Sequence, residues 1–187
     1  MHKNLPKIYY FIDNLEIDDI KKIDKSIGII YRNYWNKCNT DLIKKINNYC
    51  KTHKKKFFLA NDFKLSQKLN LSGVYLPSFN QKLIYNNINK RKNFAIIGSA
   101  HNLKEIKIKE KQGCELIFLS SIFKNNKNNF FLGINKFNIL SNLSNKKIIA
   151  LGGINEFNIK KLKLTKSYGF ASISYIKKNG PNKLGRF

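Results

Sequence analysis

The stretch FAIIGSAHNLKEIKIKEKQGCELIFL, residues 94–119, predicts a strand, a helix and a second strand in succession. Its two ends, FAIIG and LIFL, are continuous apolar runs, as expected for parallel strands that are covered on both faces. The polar segment between them places Leu103 and Ile106 at helical spacing. Gly113 stands where a glycine that ends a helix belongs, shortly before the second run. The stretch therefore predicts one unit of a parallel α/β fold.

Six further apolar runs repeat this pattern along the chain. They are IYYFI (8–12), IGIIY (27–31), FFLA (57–60), GVYL (73–76), IIALGG (148–153) and FASI (170–173). Eight strands that alternate with about seven helices fit a compact (β/α)8 TIM barrel better than an open doubly wound sheet. We expect a single domain over residues 1–187 with short loops and a short or degenerate last helix, because such barrels usually have about 200 to 250 residues.

The composition is that of a strongly basic chain with enough apolar residues to fold. Lys and Arg number 36 against 11 Asp and Glu, for a net charge of +25, and 42% of the residues are hydrophobic. The 33 Lys, 27 Asn and 26 Ile beside 3 Arg and 5 Ala indicate a bias toward A/T-rich codons. The chain also lacks the zinc-knuckle, KH and RRM signatures. We therefore expect weak, salt-sensitive attraction to nucleic acid and no specific binding.

The sequence does not indicate a membrane protein, a disulfide-bonded protein or a protein with thiolate-bound zinc. No apolar run approaches the roughly 20 residues of a membrane-spanning helix, and the start MHKNLPKIYYFID lacks the apolar region of a signal peptide. Cys38, Cys50 and Cys114 are odd in number and never spaced as CxxC, which argues against disulfides and thiolate-bound zinc. Cys114 is interpreted as a packing residue. The sequence predicts a cytoplasmic protein with no membrane partner.

Polar residues follow most of the predicted strands, and in a TIM barrel these positions line the active site. They include few charged groups, several hydroxyls and a Gly-Gly turn, a set that suits phosphate groups held by backbone N–H groups, an arginine and carboxylate-bound Mg²⁺. A carboxylate pair for glycoside hydrolysis and a histidine cluster for zinc are both absent. The candidates are Asp13, Arg32, Asn61, Asp62, Ser78, Ser99, His101, Ser120, Ser121, Gly152, Gly153 and Ser174.

Six segments in order carry a resemblance that covers nearly the whole chain. They are YYFID (9–13), LANDFKLSQKLNLSGVYLP (59–77), IIGSAHNLKE (96–105), GCELIFLSSIF (113–123), LG (132–133) and IIALGGI (148–154). Each segment is short, but their order and spacing together are specific. The chain resembles the thiamine phosphate synthase and thiazole tautomerase family.

The resemblance implies an enzyme of thiamine biosynthesis that joins a hydroxymethylpyrimidine pyrophosphate to a thiazole phosphate and releases pyrophosphate. It implies Mg²⁺ as cofactor, held by Asp62, and proton transfer by His101 in the tautomerase branch. It also assigns pyrophosphate contacts to Asn61, Arg32 and Ser99, and the thiazole phosphate pocket to Gly152, Gly153 and Ser174. We add Ser120 and Ser121 as candidate substrate-binding residues.

Three departures from the family pattern fall on the pyrophosphate half of the site. The Gln-Leu-Arg-Glu-Lys-type motif is here IYRNY (30–34), which keeps only Arg32. A second Mg²⁺-binding Asp is missing after the fourth strand, where YLPSFNQK (75–82) offers Ser78, Asn80 and Gln81. The Pro-Thr-x-Thr-Lys loop is replaced by KNNKNN (124–129), a predicted mobile loop in which Lys124 or Lys127 is a possible source of positive charge.

Structural interpretations stand beside the functional ones. Arg32 could pair with Asp13 or Asp62, Asp62 could cap a helix, and the glycines could serve a tight turn. Tyr34 and Trp35 are expected to cover the barrel edge rather than to stack on a pyrimidine.

Two alternative functions remain on the same barrel. One is a thiazole tautomerase-like or salvage relative, favoured by the missing second Asp and by His101. The other is a catalytically degenerate, basic binding protein. The expected partners are small phosphorylated molecules, and a homo-oligomer is compatible with the sequence.

Overall fold

A computed structural model describes residues 5–13, 17–34, 39–87, 89–125, 130–173 and 175–176. The eight predicted apolar runs all form strands, with ends shifted by no more than two residues. The strands are β1 (Ile8–Ile12), β2 (Gly28–Tyr31), β3 (Phe57–Ala60), β4 (Gly73–Leu76), β5 (Ala95–Ala100), β6 (Leu116–Ser120), β7 (Lys147–Leu151) and β8 (Gly169–Ser172).

The strands form one closed parallel barrel in sequence order, which confirms the predicted fold. Each strand pairs with the next, and β1 pairs with β8 through Tyr9 opposite Ala171. Both faces of the strands are buried, as the continuous apolar runs predict for parallel strands beneath helices. Since all eight strands run the same way, their carboxyl ends meet at one mouth of the barrel.

The two faces of the barrel wall build two separate cores. Inward side chains form a cluster in which Tyr9 and Phe118 pack edge to face at 4.9 Å, and Phe11 and Tyr75 at 5.3 Å. Outward side chains pack beneath the helices in a larger cluster that includes Ile46 of the second helix. Aromatic rings fill the interior, so the barrel is a packed core rather than a pore.

Five α-helices lie between the strands of the described chain. They are α1 (Ile17–Lys21), α2 (Thr40–Thr52), α3 (Phe63–Lys68), α4 (Leu103–Lys111) and α5 (Gly133–Asn142). In α2, Ile43, Ile46 and Cys50 are buried at helical spacing, and the Asn39 side chain caps the first turn by accepting from the Leu42 N–H. After α4, Gly113 has φ of +76°, which confirms its predicted place at the helix end.

Two connections differ from the expected α-helices. The segments Ile84–Asn87 after β4 and Ile159–Leu164 after β7 are 3-10 helices. At the start of the second segment the Asn155 and Asn158 side chains accept from nearby main-chain N–H groups, at 2.9 to 3.2 Å. Asparagine competes in this way with the main-chain bonds of an α-helix. After β8, residues 175–176 are helical, and residues 177–187, on which the predicted short last helix depends, lie outside the described part.

The described helices are all too short or too polar to cross a membrane. Cys50 and Cys114 are free and buried, and burial raises the pKa of each thiol to about 12. They are therefore protonated near neutral pH, as expected of packing residues. Cys38 lies outside the described residues.

Candidate active site

A cavity of about 550 Å³ opens at the carboxyl ends of the strands. Its described lining contains two cations, Arg32 and Lys124, and no carboxylate. The cavity thus offers positive charge, hydroxyls and main chain to an anionic ligand. It brings together seven residues that the sequence singled out, namely Arg32, His101, Ser120, Ser121, Lys124, Gly152 and Gly153.

Arg32 lies just beyond β2 and forms the ion pair with Asp13 that was expected as its structural alternative. Its Nε donates to Asp13 Oδ1 at 3.2 Å, and its guanidinium lies 5.1 Å from the centre of the Phe11 ring. The Asp13 side chain is 56% exposed, so this ion pair contributes little to stability. The pair uses only Nε, and the guanidinium still lines the cavity, where its terminal nitrogens can meet a phosphate group.

His101 follows β5 and is oriented by Glu105. Glu105 Oε2 accepts from the His101 main-chain N–H at 2.8 Å and lies 2.9 Å from its Nδ1. Asn102 caps α4 by accepting from the Glu105 N–H, and its Nδ2 donates to Glu105 Oε1. A carboxylate beside Nδ1 favours the proton on that nitrogen, which leaves Nε2 as the acceptor. Sequence reasoning missed Glu105, although its i+4 spacing from His101 on a predicted helix was a signal.

Gly152 and Gly153 form a turn after β7 that approaches the loop after β6 closely. Their φ angles are +94° and +70°, and a Cβ on Gly152 would overlap the Ser121 side chain and main chain. On Gly153 it would overlap the carbonyl oxygens of Phe123 and Lys124. The turn therefore requires glycine at both positions, and its main chain forms part of the cavity wall.

Replacing Gly152 by alanine should damage this wall. We expect Gly152→Ala to lower the free energy of unfolding by about 1 to 3 kcal/mol, the cost of a left-handed backbone in a residue with a Cβ. We also expect binding of the thiazole phosphate that the family resemblance implies to weaken about tenfold, since Ser121 must move. Calorimetric titration measures the second effect. Gly133→Ala is the matched control, because Gly133 has φ of +69° but open space around its Cβ position. Equal losses of binding in both variants would contradict the assignment.

Ser121 and Ser120 differ in their surroundings. The Ser121 hydroxyl donates to the Phe123 carbonyl oxygen at 2.8 Å and accepts from Asn125 Nδ2 at 3.1 Å. Ser120 is the last residue of β6 rather than a residue that follows it, and it is half-buried at the cavity wall. Ser121 thus orders the start of the loop that carries Lys124.

Asn61 and Asp62 follow β3 at the same mouth but do not line the cavity. Asp62 caps α3, because its Oδ1 accepts from the Leu65 N–H at 2.9 Å. Asn61 has φ of +60°, and its Oδ1 accepts from Asn80 Nδ2 at 2.7 Å. The capping role expected as an alternative for Asp62 is thus present, and it engages one of the two carboxylate oxygens.

Ser99 lies inside β5, not after it, and its side chain faces the barrel interior. It hydrogen bonds to Tyr75, whose pKa burial raises to about 12, an effect that this hydrogen bond opposes. Ser99 is buried and does not line the cavity. Its hydroxyl is thus engaged in the barrel interior, beneath the mouth.

The remaining candidates lie at the rim or outside the described residues. Tyr34 packs edge to face on Phe79 at 5.3 Å, with both rings exposed. Ser78 begins the loop after β4, in which Gln81 is exposed. Ser174, Lys127 and Trp35 fall outside the described residues, and so does most of the KNNKNN loop.

The described residues contain no group of three or more His, Cys, Asp or Glu side chains that could hold a metal ion. Asp62 Oδ2 accepts no hydrogen bond from them, so one carboxylate oxygen is available at the mouth. Mg²⁺ is commonly bound through one or two carboxylates together with substrate phosphates. The donor set therefore fits an ion that phosphate oxygens of a substrate help to hold.

Comparisons with known proteins identify the family of the chain. The family model described as thiamine monophosphate synthase matches residues 28–176. A thiamine-phosphate synthase of Methanococcus vannielii is 32% identical over 126 residues, which are 64% of this chain and 59% of that protein. One of Methanococcus maripaludis strain C5 is 23% identical over 192 residues, with 93% and 88% of the two chains covered.

A solved structure gives the same fold. The thiamine phosphate pyrophosphorylase of Pyrococcus furiosus superposes with a TM-score of 0.75 at 19% identity, over 94% of this chain and 89% of that one. The family model, which spans more than half of the chain, confirms the resemblance drawn from the six segments. The chain belongs to the thiamine monophosphate synthase family.

Proposed function

We propose that this chain is a thiamine phosphate synthase, a transferase that joins hydroxymethylpyrimidine pyrophosphate to a thiazole phosphate. The observation that carries the proposal is the cavity at the barrel mouth, whose described lining has two cations and no carboxylate. Both substrates and the released pyrophosphate are anions, so such a wall suits all three. Family membership supplies the reaction, and the chain's own residues supply the roles below.

The reaction breaks the C–O bond between the pyrimidine methylene carbon and pyrophosphate. Pyrophosphate departs with the electron pair and leaves a stabilised pyrimidine-methyl cation, which the lone pair of the thiazole nitrogen then captures. Arg32 offsets the negative charge that grows on the departing pyrophosphate, and Lys124 adds positive charge from the loop after β6. The Gly152–Gly153 turn and Ser121 hold the thiazole phosphate, which fixes the nitrogen for attack.

Asp62, with phosphate oxygens of the substrate, would hold Mg²⁺. The ion supplies further neutralisation of the pyrophosphate charge when bound. Asn61 precedes Asp62 in the chain. Its Oδ1 accepts from Asn80, and its side-chain NH₂ donates to the pyrophosphate. Asp62 serves both purposes because its Oδ1 caps α3 while Oδ2 is available.

The His101–Glu105 pair favours a second candidate function. A histidine held by a carboxylate at one nitrogen is suited to carry a proton, as a thiazole tautomerase or salvage relative requires. Synthase chemistry needs anion stabilisation and no such proton carrier. A catalytically degenerate binding protein on the same barrel is the remaining alternative.

Incubation with both phosphorylated substrates and Mg²⁺, followed by detection of thiamine phosphate, tests the proposal. We expect product to form only when all three are present. Conversion of the thiazole phosphate between its tautomers, without any thiamine phosphate, would instead establish the second function. Binding of the substrates without either reaction would favour the binding protein.

The proposal also covers partners, location and domain organisation. The chain acts in the cytoplasm as one domain on small phosphorylated molecules, without a membrane partner, and a homo-oligomer is compatible with it. Its lysines are exposed on many helices, for example Lys44 of α2 and Lys104 of α4, rather than gathered on one face.

We therefore expect its affinity for RNA or DNA to be weak. Binding should fall steeply between about 50 and 200 mM salt and show no base preference, since it rests on counterion release alone. Fluorescence anisotropy with oligonucleotides of different sequence measures both properties. Tight, sequence-selective binding at about 150 mM salt would contradict this expectation and favour a nucleic-acid-binding protein.

A further inference from the structure

A fully buried lysine lies beneath the loop that follows β4. Lys109 of α4 has no exposed surface, and its Nζ donates to the carbonyl oxygens of Pro77 and Asn80, each at 2.7 Å, and to Gln112 Oε1 at 2.9 Å. These three acceptors use all three N–H groups of the ammonium. Gly98 of β5 leaves room for the lysine stem, since a Cβ there would lie 2.9 Å from Lys109 Cδ.

Main-chain groups fix the direction of every amide in this network. Gln112 Nε2 donates to the carbonyl oxygens of Asn80 and Lys82, so Oε1 is the atom that faces Lys109. Asn80 Oδ1 accepts from the Lys82 N–H at 3.1 Å, so Nδ2 is the atom that faces Asn61 and Tyr85. The contact atom of Asn61 must then be its oxygen, because a donor requires an acceptor.

The same network sets the direction of the Asn61 amide. Since Oδ1 and Nδ2 occupy opposite arms of a planar group, the bond from Asn80 turns the Asn61 NH₂ away from the loop. No described residue accepts from that NH₂. Asn61 stands at the end of β3, beside Asp62 and next in the sheet to β2, which Arg32 follows. Both N–H groups of this amide are thus available to a ligand at this end of the barrel.

We propose that Lys109 and Gln112 are positioning residues that, through Asn80, hold the Asn61 amide with its NH₂ toward the pyrophosphate of the substrate. This inference rests on the proposed function for the identity of the ligand. Burial lowers the pKa of the Lys109 ammonium to about 8, and the three acceptors around Nζ offset part of the cost of its desolvation. The loop carbonyls would lose that donor if an apolar residue replaced the lysine.

The network also explains how a site can work without an Asp in the loop after β4. In this loop, where the family resemblance leads us to expect a second Mg²⁺-binding Asp, Asn80 is neutral and its side chain bonds to Asn61, Tyr85 and Lys82. Hydrogen bonds from an oriented amide then replace part of the metal-held contact to pyrophosphate.

The test uses inorganic pyrophosphate with Mg²⁺ as the probe and calorimetry as the readout. We expect Asn80→Ala to weaken pyrophosphate binding about tenfold, the scale of one hydrogen bond to a charged group. Tyr85→Phe is the matched control: it removes the other acceptor of Asn80 Nδ2 and leaves the contact to Asn61, so its affinity should stay within about twofold of the parent chain. In steady-state assays KM for the pyrimidine pyrophosphate should rise, while KM for the thiazole phosphate should not.

A double-mutant cycle separates positioning from simple support of the loop. If Asn80 acts through Asn61, then Asn61→Ala and Asn61→Ala/Asn80→Ala should bind pyrophosphate equally within about twofold. Lys109→Met should show the same pattern, provided that thermal unfolding shows a folded protein. Lys104 is an exposed lysine of the same helix, and Lys104→Met should bind pyrophosphate as the parent chain does. Additive losses in the cycle, or parental affinity in Asn80→Ala, would overturn the inference while leaving the proposed function intact. If the chain binds pyrophosphate in this pattern yet forms no thiamine phosphate, the proposed function is overturned and the positioning of Asn61 stands.

Discussion

Asp62→Asn is expected to lower thiamine phosphate formation by at least about 10²-fold, the scale on which one electrostatic stabiliser acts. The substitution removes the carboxylate that directly follows Asn61 in the chain, and the loop after β4 (residues 77–82) contains no second one. Asparagine caps helices as well as aspartate does, so α3 should keep its first turn and the fold its stability. Turnover against Mg²⁺ concentration is the measurement, and the Mg²⁺ dependence should disappear.

The matched control for this variant is Asp41→Asn. Asp41 is an exposed carboxylate in the first turn of α2, where it pairs with Lys44 at 3.1 Å. That variant loses the same charge at an exposed position outside the cavity wall and should retain its activity. Turnover of Asp62→Asn close to that of the parent chain, with its Mg²⁺ dependence unchanged, would rule out the metal role of Asp62.

Substitutions of His101 and Arg32 should have opposite effects in two assays. If the chain is a tautomerase, His101→Asn should lower that activity about 10² to 10⁴-fold, the usual loss when a general acid-base is removed. Carbon–nitrogen bond formation should be largely retained, because it needs anion stabilisation. Arg32→Ala should cripple the departure of pyrophosphate and spare proton transfer. Both variants are measured in both assays.

Neither substitution should disturb the surrounding hydrogen bonds or the stability of the fold. The amide introduced by His101→Asn can still donate to Glu105, so the start of α4 keeps its hydrogen bonds. The Asp13 partner of Arg32 is more than half exposed, so leaving it unpaired costs little in water. His53→Asn, at the exposed end of α2, controls for loss of a histidine. If His101→Asn abolishes thiamine phosphate formation while Arg32→Ala leaves it unchanged, the two roles are assigned wrongly.

The fold was predictable from the sequence because its signal is local and repeated. Each strand, such as Phe57–Ala60, is a continuous apolar run, and both of its faces are covered in the barrel. The ends of the strands could be placed only within two residues, so Ser99 and Ser120 were expected after β5 and β6 but lie inside them. Hydrophobicity does not show where the last hydrogen bond of a ladder falls.

The candidate site was predictable in part, for a related reason. Parallel strands bring their carboxyl ends together, so the order of strands along the chain already places residues such as Arg32, His101 and Gly152 at one mouth. Which of them share a cavity depends on side-chain directions. Asp62 turns to cap α3 and Ser99 turns inward to Tyr75, and both leave the cavity wall.

The sequence by itself determined the barrel, the mouth at which the candidate residues meet, and the family. Apolar runs, the polar residues at strand ends and the order of motifs are all local features of the chain. Only the tertiary structure decided which polar residues are buried and which groups they bond. Lys109 is one of 33 lysines and nothing local marks it, yet Gly98, the Pro77 and Asn80 carbonyls and Gln112 enclose it completely. Two of its acceptors lie about 30 residues away in sequence, and a buried charge is tolerable only where such distant partners converge.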